Sequence, residues 1–97
     1  QKYSSKDNIM YGRALSCLGD AYVGNEELES GLSYYKKAIK ESGENIFTAQ
    51  YLLKAGITAE ELGKTEEALG YYNEIAIKYP QSVEAIDVNK YIYRLSK

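Results

Sequence analysis

The sequence repeats one pattern of small and large residues at an interval of 37 positions. The matched pairs are Leu15 and Leu52, Gly19 and Gly56, Gly31 and Ala68, and Tyr35 and Tyr72. Small residues are needed where two helices approach closely, and large residues fill the gap beside them. The interval therefore predicts two copies of one structural unit, each of which must pack against a neighbour.

Five amphipathic segments make up the two units. Apolar residues recur at spacings of three and four, as on one face of a helix. The first three segments cover residues 8–23, 26–42 and 46–62, the fourth lies between Thr65 and Pro80, and the fifth runs from Ser82 onward. We expect the apolar stripe of the first to consist of Tyr11, Ala14, Leu15, Leu18 and Tyr22. No segment shows strand-like alternation, so the fold class is predicted to be all-α.

The helix ends have recognisable signals. Gly43 is expected to cap the second helix at its C-terminus, and Gly63 to end the third. Thr65 and Ser82 are expected to be the N-caps of the fourth and fifth helices. Pro80, the single proline, closes the fourth. The predicted organisation is a stump of a preceding repeat or a linker (1–7), two helical hairpins (8–45 and 46–81), and a capping helix (82–97).

Each unit contains a pair of adjacent tyrosines in its second helix. We expect Tyr35 and Tyr72 to fill the space between the two helices of their hairpins, since a buried ring is large and its hydroxyl can still reach water. Tyr34 and Tyr71 are expected to face the neighbouring hairpin or solvent.

Composition argues against several classes of function. The net charge of −2 and the pI of about 5.2 do not favour a nucleic-acid binder, and no apolar run reaches the ~20 residues of a membrane span. Histidine is absent, which removes the commonest general base and metal ligand. Cys17 is the one cysteine and cannot build a zinc site alone. We expect no enzyme activity, no metal and no cofactor.

The two units resemble the tetratricopeptide repeat. The residues that carry the resemblance are Leu18-Gly19-Asp20-Ala21-Tyr22, Gly31, Tyr35 and Ala38 in the first unit, and Ala55-Gly56, Ala59, Gly63, Ala68, Tyr72 and Pro80 in the second. The family repeats about every 34 residues, so about three residues are inserted around Glu44 to Phe47. Gly31 replaces the usual alanine, and Gly43 stands where the first unit would have its proline.

The resemblance implies a right-handed α-solenoid, in which the first helices of successive units line a concave groove. The positions that would face this groove are Arg13, Ser16, Cys17, Asp20, Gln50, Leu53, Lys54, Ile57, Glu60, Glu84 and Asp87. Some family members hold the terminal carboxylate of a peptide with lysine, asparagine and arginine there. Because this chain places Ser16, Asp20, Leu53 and Ile57 at such positions, we expect that clamp to be missing.

Two interpretations of the groove stay open at the level of sequence. Leu53 and Ile57 lie four residues apart, and they either pack against adjacent first helices or form an apolar strip that binds a helix or an extended segment. The chain is accordingly either a protein-interaction module that binds a peptide or protein partner, or a structural spacer of a longer repeat protein with no groove ligand. Self-association through the exposed ends of the stack is a further expectation.

The amino-acid sequence is also similar to that of bacterial repeat proteins anchored by one N-terminal membrane helix. The stretches that carry this likeness are "YGRALSCLGDAY", "YLLKAGITAEELGK" and "YNEIAIKYPQS". It implies that the repeats lie on the extracytoplasmic side of the membrane.

Overall fold

A computed structural model describes residues 5–96, with side chains from residue 7 onward. It contains five helices: α1 (Ser5–Gly24), α2 (Leu28–Ser42), α3 (Thr48–Glu61), α4 (Thr65–Lys78) and α5 (Val83–Leu95). The described residues form no strand, so the all-α prediction is confirmed. Of the predicted stump at residues 1–7, residues 1–4 lie outside the described part, whereas residues 5–7 belong to α1.

The helices pack in chain order as two hairpins and a final helix. α1 packs on α2 and α3 on α4, while α2 joins the hairpins through α3 and α4 contacts α5. The resulting body measures 45 × 32 × 19 Å. One core cluster joins α2 to α5 and consists of Leu32, Tyr35, Leu52, Ala55, Ala59, Ala68, Tyr72, Ile75, Ala85 and Val88. The core therefore runs along the stack, as expected for repeats that share their apolar faces.

The repeated tyrosines and glycines meet inside each hairpin. A Cβ placed on Gly19 would lie 2.6 Å from Cε1 of Tyr35, and one on Gly56 would lie 2.5 Å from Cε1 of Tyr72. Both rings are buried, so their predicted role in packing is confirmed. Tyr34 differs from expectation, because its ring stacks on Tyr22 of its own hairpin, with centroids 5.2 Å apart.

The packing face of α1 differs from the predicted stripe. Leu15 is buried as expected, but Tyr11, Ala14 and Leu18 are exposed. The residues that α1 buries beside Leu15 are small: Gly12, Ser16 and Gly19. The prediction was wrong because α1 approaches α2 so closely that its contact face needs residues without bulk, and the bulky side chains lie on the other side.

The ends of the helices follow most of the predicted signals. Gly43 and Gly63 adopt positive φ angles of 69° and 81°, and Gly43 is the C-cap of α2. The side chain of Ser82 accepts a hydrogen bond from the Ala85 amide at 3.2 Å, so it is the N-cap of α5. The prediction for Thr65 was wrong. Thr65 is already the first residue of α4, and the N-cap is Lys64, which makes no side-chain capping bond.

The inserted residues between the hairpins form an ordered turn. The Asn45 carboxamide accepts a hydrogen bond from the Phe47 amide at 2.8 Å and donates one to the Gly43 carbonyl at 3.1 Å. The Asn45 amide in turn donates to Oγ1 of Thr48 at 2.9 Å. These local bonds satisfy backbone groups where the helical ladder is interrupted, which allows the extra residues without loss of order.

Candidate functional site

Two ion pairs between helices link α1 to α3 and α3 to α5. Nζ of Lys54 on α3 lies 3.0 Å from Oδ2 of Asp20 on α1. Arg94 on α5 pairs in the same way with Glu60 on α3. Both pairs link residues 34 positions apart, so successive first helices are joined at a regular interval. We call this surface the α1–α3–α5 face.

Each acidic residue of these pairs also accepts a hydrogen bond from a buried tyrosine. Tyr35 donates its hydroxyl hydrogen to Asp20, and Tyr72 donates to Glu60 at 2.9 Å. Burial, followed by the hydrogen bond to the carboxylate, raises the pKa of both tyrosines above its ordinary value. The hydroxyls therefore stay protonated and orient the carboxylates. The first helix of each hairpin thus holds a carboxylate, oriented by a tyrosine, beside a basic residue: Lys54 on α3 for the first hairpin and Arg94 on α5 for the second.

The structure brings four of the predicted groove residues together on this face. They are Asp20, Lys54, Ile57 and Glu60. Ser16 is buried, and its hydroxyl accepts a hydrogen bond from Nζ of Lys54 at 3.2 Å. Ser16 therefore helps to position the side chain of Lys54.

The other predicted groove residues have separate surroundings. Leu53 is half-buried against the main core, which favours the packing interpretation for this residue. The guanidinium of Arg13 lies 4.1 Å from the centroid of the Phe47 ring, a cation–π contact. Gln50 and Glu84 are half-buried, whereas Cys17 and Asp87 are exposed.

A pocket of about 320 Å³ opens between α3 and α5 on the α1–α3–α5 face. It is lined by Ile57, Glu60, Glu61, Tyr91 and Arg94. The Arg94 guanidinium lies 5.1 Å from the centroid of the Tyr91 ring while it pairs with Glu60. The pocket therefore combines the apolar surface of Ile57 and Tyr91 with charged side chains, of which Glu60 and Arg94 are already paired.

Sequence reasoning missed three residues of this pocket, namely Glu61, Tyr91 and Arg94. The expected groove positions on α5 were Glu84 and Asp87, which lie nearer the start of that helix. One sequence signal points to the observed pair, because Lys54 and Arg94 each follow an acidic residue by 34 positions. The value of 34 is the separation of the two partners in one ion pair, whereas 37 is the interval between equivalent core residues. The alignment of core residues therefore does not reveal the ion pairs.

A second pocket, of about 480 Å³, lies between the turn that joins α2 to α3 and the turn that joins α4 to α5. Its walls are Asn45, Ile46, Ala49, Lys78, Tyr79, Pro80, Gln81 and Ser82. The inserted turn supplies Ile46, which is almost fully exposed. This pocket is separate from the first, because the two share no lining residue and six of the eight residues here belong to the turns.

Two further observations concern chemistry and membranes. Between residues 5 and 96, no group of three histidine, cysteine, aspartate or glutamate residues is arranged to hold a metal ion. No described helix combines the length and the apolar character that crossing a bilayer requires.

Comparison with known proteins identifies the second hairpin. Residues 50–82 match the family model of the tetratricopeptide repeat. The matched stretch runs from α3 through α4 to the N-cap of α5 and contains Gly56, Ala68 and Tyr72. Neither the curated proteins nor the solved structures contain a match. The first hairpin repeats the same glycine–tyrosine contact.

Proposed function

We propose that the chain is a tetratricopeptide-repeat protein, and that it is a protein-interaction module that binds a peptide or protein segment through the α1–α3–α5 face. The observation that carries the proposal is the pocket between α3 and α5, where Ile57 and Tyr91 offer apolar surface. Buried aromatic and aliphatic contacts supply most of the energy in such interfaces.

The charges on the face define what kind of ligand it accepts. Lys54 is paired with Asp20, and Arg94 with Glu60, so each cation is already neutralised by a fixed acid. A ligand that relied on its own carboxylate would have to displace one of these pairs. We therefore propose that the bound segment docks an apolar side chain between Ile57 and Tyr91 and adds polar contacts at the rim.

Selection of binding peptides provides the test. Peptides selected from a displayed library against the purified chain are measured for affinity toward Ile57→Ala and toward Ile77→Ala. Ile57 is 38% exposed inside the pocket, whereas Ile77 is 77% exposed at the end of α4 and lies outside it. We expect Ile57→Ala to weaken binding by roughly tenfold or more, as for loss of an anchor contact, and Ile77→Ala to leave it unchanged.

Two results would contradict the proposal. The first is equal affinity of the two variants for every selected peptide. The second is a loss of binding in Ile57→Ala that is matched by a lower free energy of unfolding, because that would place Ile57 in the core. Each variant is therefore also unfolded in urea, where the two midpoints are expected to agree with that of the unchanged chain.

The alternative function is a structural spacer with no ligand on this face. The ion pairs that bridge α1, α3 and α5 favour it, because they brace the stack without any partner. Failure to select any peptide, together with an unchanged stack in the variants, would support the spacer.

We also propose an extracytoplasmic location in a membrane-anchored bacterial parent, on the strength of the resemblance in sequence alone. A topology reporter fused to the C-terminus of the parent tests it. Activity of a reporter that folds only in the cytoplasm would refute this location.

A further inference from the structure

In the two hairpins, small residues stand where the paired helices approach each other most closely. The residues at the equivalent positions of α5 are large. Gly19 and Gly56 admit the rings of Tyr35 and Tyr72, and a Cβ at either glycine would come within 2.6 Å of the ring. The residue one interval of 37 further on is Tyr93. A helix packed on α5 in the manner of α2 or α4 would meet this side chain at the position of closest approach.

A second position supports this conclusion. Gly12 lies against Ser42 of α2, where a Cβ would meet the serine Cβ at 2.4 Å, and its counterpart on α3 is the buried Ala49. The corresponding residue of α5 is Ile86. The contact thus goes from glycine to alanine to isoleucine along the stack, and only the last of these is exposed to solvent.

The outer face of α5 is nevertheless apolar. Val83 is 72%, Ile86 75% and Tyr93 67% exposed. Their spacing of three and seven residues aligns them along one side of the helix, opposite the buried Ala85 and Val88. A helix with apolar residues on both sides is normally covered on both sides.

The charges of α5 are separated along its length. Glu84 and Asp87 lie in its N-terminal half and Lys90 lies in its C-terminal half, whereas Arg94 is already paired with Glu60 of α3. When two such helices lie antiparallel, Asp87 of each meets Lys90 of the other, whereas a parallel pair brings like charges together. Antiparallel packing also sets the two helix dipoles in opposite directions. The face is therefore complementary to itself.

We propose that the outer face of α5 binds a second copy of this chain, with the two α5 helices antiparallel across a twofold axis near Asn89. In this arrangement Ile86 of one copy packs against Tyr93 of the other, and the aliphatic stem of Lys90 lies between them. Asp87 faces the basic half of the partner helix. The interaction uses the end of the stack, so it does not depend on a ligand in the α3–α5 pocket.

Sedimentation of the whole chain as a function of concentration tests the proposal. A single helix face buries less than a standard interface of roughly 1,600 Å², so we expect a monomer–dimer equilibrium between about 10 µM and 1 mM. Ile86→Glu is expected to abolish the dimer. Ile77→Glu is the matched control, because Ile77 is equally exposed but lies on α4, and it is expected to leave the dimer intact.

A disulfide experiment identifies the contacting helix directly. Cys17 is the only cysteine, so Cys17→Ser provides a background in which Asn89→Cys can join only to its counterpart in a second copy. We expect rapid oxidation to a covalent dimer, because two residues beside a twofold axis approach within the reach of a disulfide. The corresponding Ala14→Cys variant on the exposed side of α1 is expected to stay monomeric.

Three results would overturn the proposal. They are a chain that is monomeric at all concentrations, a dimer that persists in Ile86→Glu, and cross-linking through Ala14→Cys in place of Asn89→Cys. None of them bears on peptide binding at Ile57, so this inference and the proposed function fail independently. Circular dichroism of each variant confirms that the helices have formed.

Discussion

Gly56 decides how closely α3 and α4 approach. A Cβ at this position would lie 2.5 Å from Cε1 and 2.9 Å from Cδ1 of the Tyr72 ring, so even one added carbon forces the ring or the helix to move. Tyr72 is fully buried and holds Glu60 through its hydroxyl. Displacement of the ring would therefore disturb both the core and the α1–α3–α5 face.

We expect Gly56→Ala to lower the free energy of unfolding by about 1–3 kcal/mol through overpacking. Gly70→Ala is the matched control, since Gly70 lies in the exposed middle of α4 and no atom approaches its Cβ position within 4 Å. Alanine is the better helix former, so this change should stabilise the chain by roughly 0.5–1 kcal/mol. Urea unfolding measures both. Changes of the same sign would refute the assigned contact.

The start of α5 shows how one helix end is stabilised while another, similar in sequence, is not. Ser82 adopts the extended conformation of an N-cap and accepts a hydrogen bond from the Ala85 amide. Thr65 is followed by two glutamates, as a capped helix often is, yet Lys64 precedes it as the cap residue and makes no such bond. Two hydroxyl-bearing residues at the starts of helices therefore contribute differently according to their positions relative to the first turn.

We expect Ser82→Ala to cost about 1 kcal/mol, the usual loss of an N-cap hydrogen bond. Thr65→Ala is expected to change stability much less, since its side chain makes no capping bond. Thermal unfolding of the two variants under identical conditions makes the comparison. A greater loss for Thr65→Ala would show that Thr65, and not Lys64, is the N-cap of α4.

At the scale of the whole molecule, the two ends of the stack differ. α1 exposes Tyr11, Ala14 and Leu18, whereas the corresponding residues of α3, which are Thr48, Tyr51 and Ala55, are buried. Tyr51 packs with Ala38 of α2. α1 thus exposes the positions that α3 buries against the first hairpin, while α5 exposes large residues at the positions where α1 and α3 contact their partners most closely.

Three tyrosines that donate hydrogen bonds to carboxylates make the stability of the fold depend on pH in the alkaline range. Burial, and then a hydrogen bond to a carboxylate, raises the pKa of Tyr35, Tyr71 and Tyr72. In the unfolded chain they ionise near pH 10. Below about pH 10 the tyrosine hydroxyls are protonated in both the folded and the unfolded state, so their full contribution to the stability of the fold is present. As pH rises above it, the unfolded state loses its protons first, so stability falls.

We therefore expect the Tm to decrease from about pH 10 upward. The double variant Tyr35→Phe with Tyr72→Phe removes two of the three groups and should show a shallower decrease. Its Tm below pH 9 is expected to be lower than that of the unchanged chain, because about 1 kcal/mol is lost with each hydrogen bond to a carboxylate. An unchanged slope at high pH would contradict the assignment to these tyrosines.

Much of the architecture follows from the sequence alone. The five helices, the glycines with positive φ, the Ser82 cap and the contact of Tyr35 and Tyr72 with glycine all depend on local preferences or on the size of residues at a fixed interval. Such features are determined by neighbours along the chain or by a repeated pattern. The right hand of the solenoid and the use of a concave groove stay predictions.

Other features were decided only by tertiary structure. Periodicity placed Tyr11 and Leu18 on the packing stripe of α1, but it cannot tell which side of an apolar helix approaches its partner most closely, and there small residues take the contact. The pocket formed by Ile57, Tyr91 and Arg94 depends on how far α5 is shifted along α3. That shift results from packing between distant segments. The second ion pair therefore follows the first by 40 residues, from Asp20 to Glu60 and from Lys54 to Arg94, while the core recurs at 37.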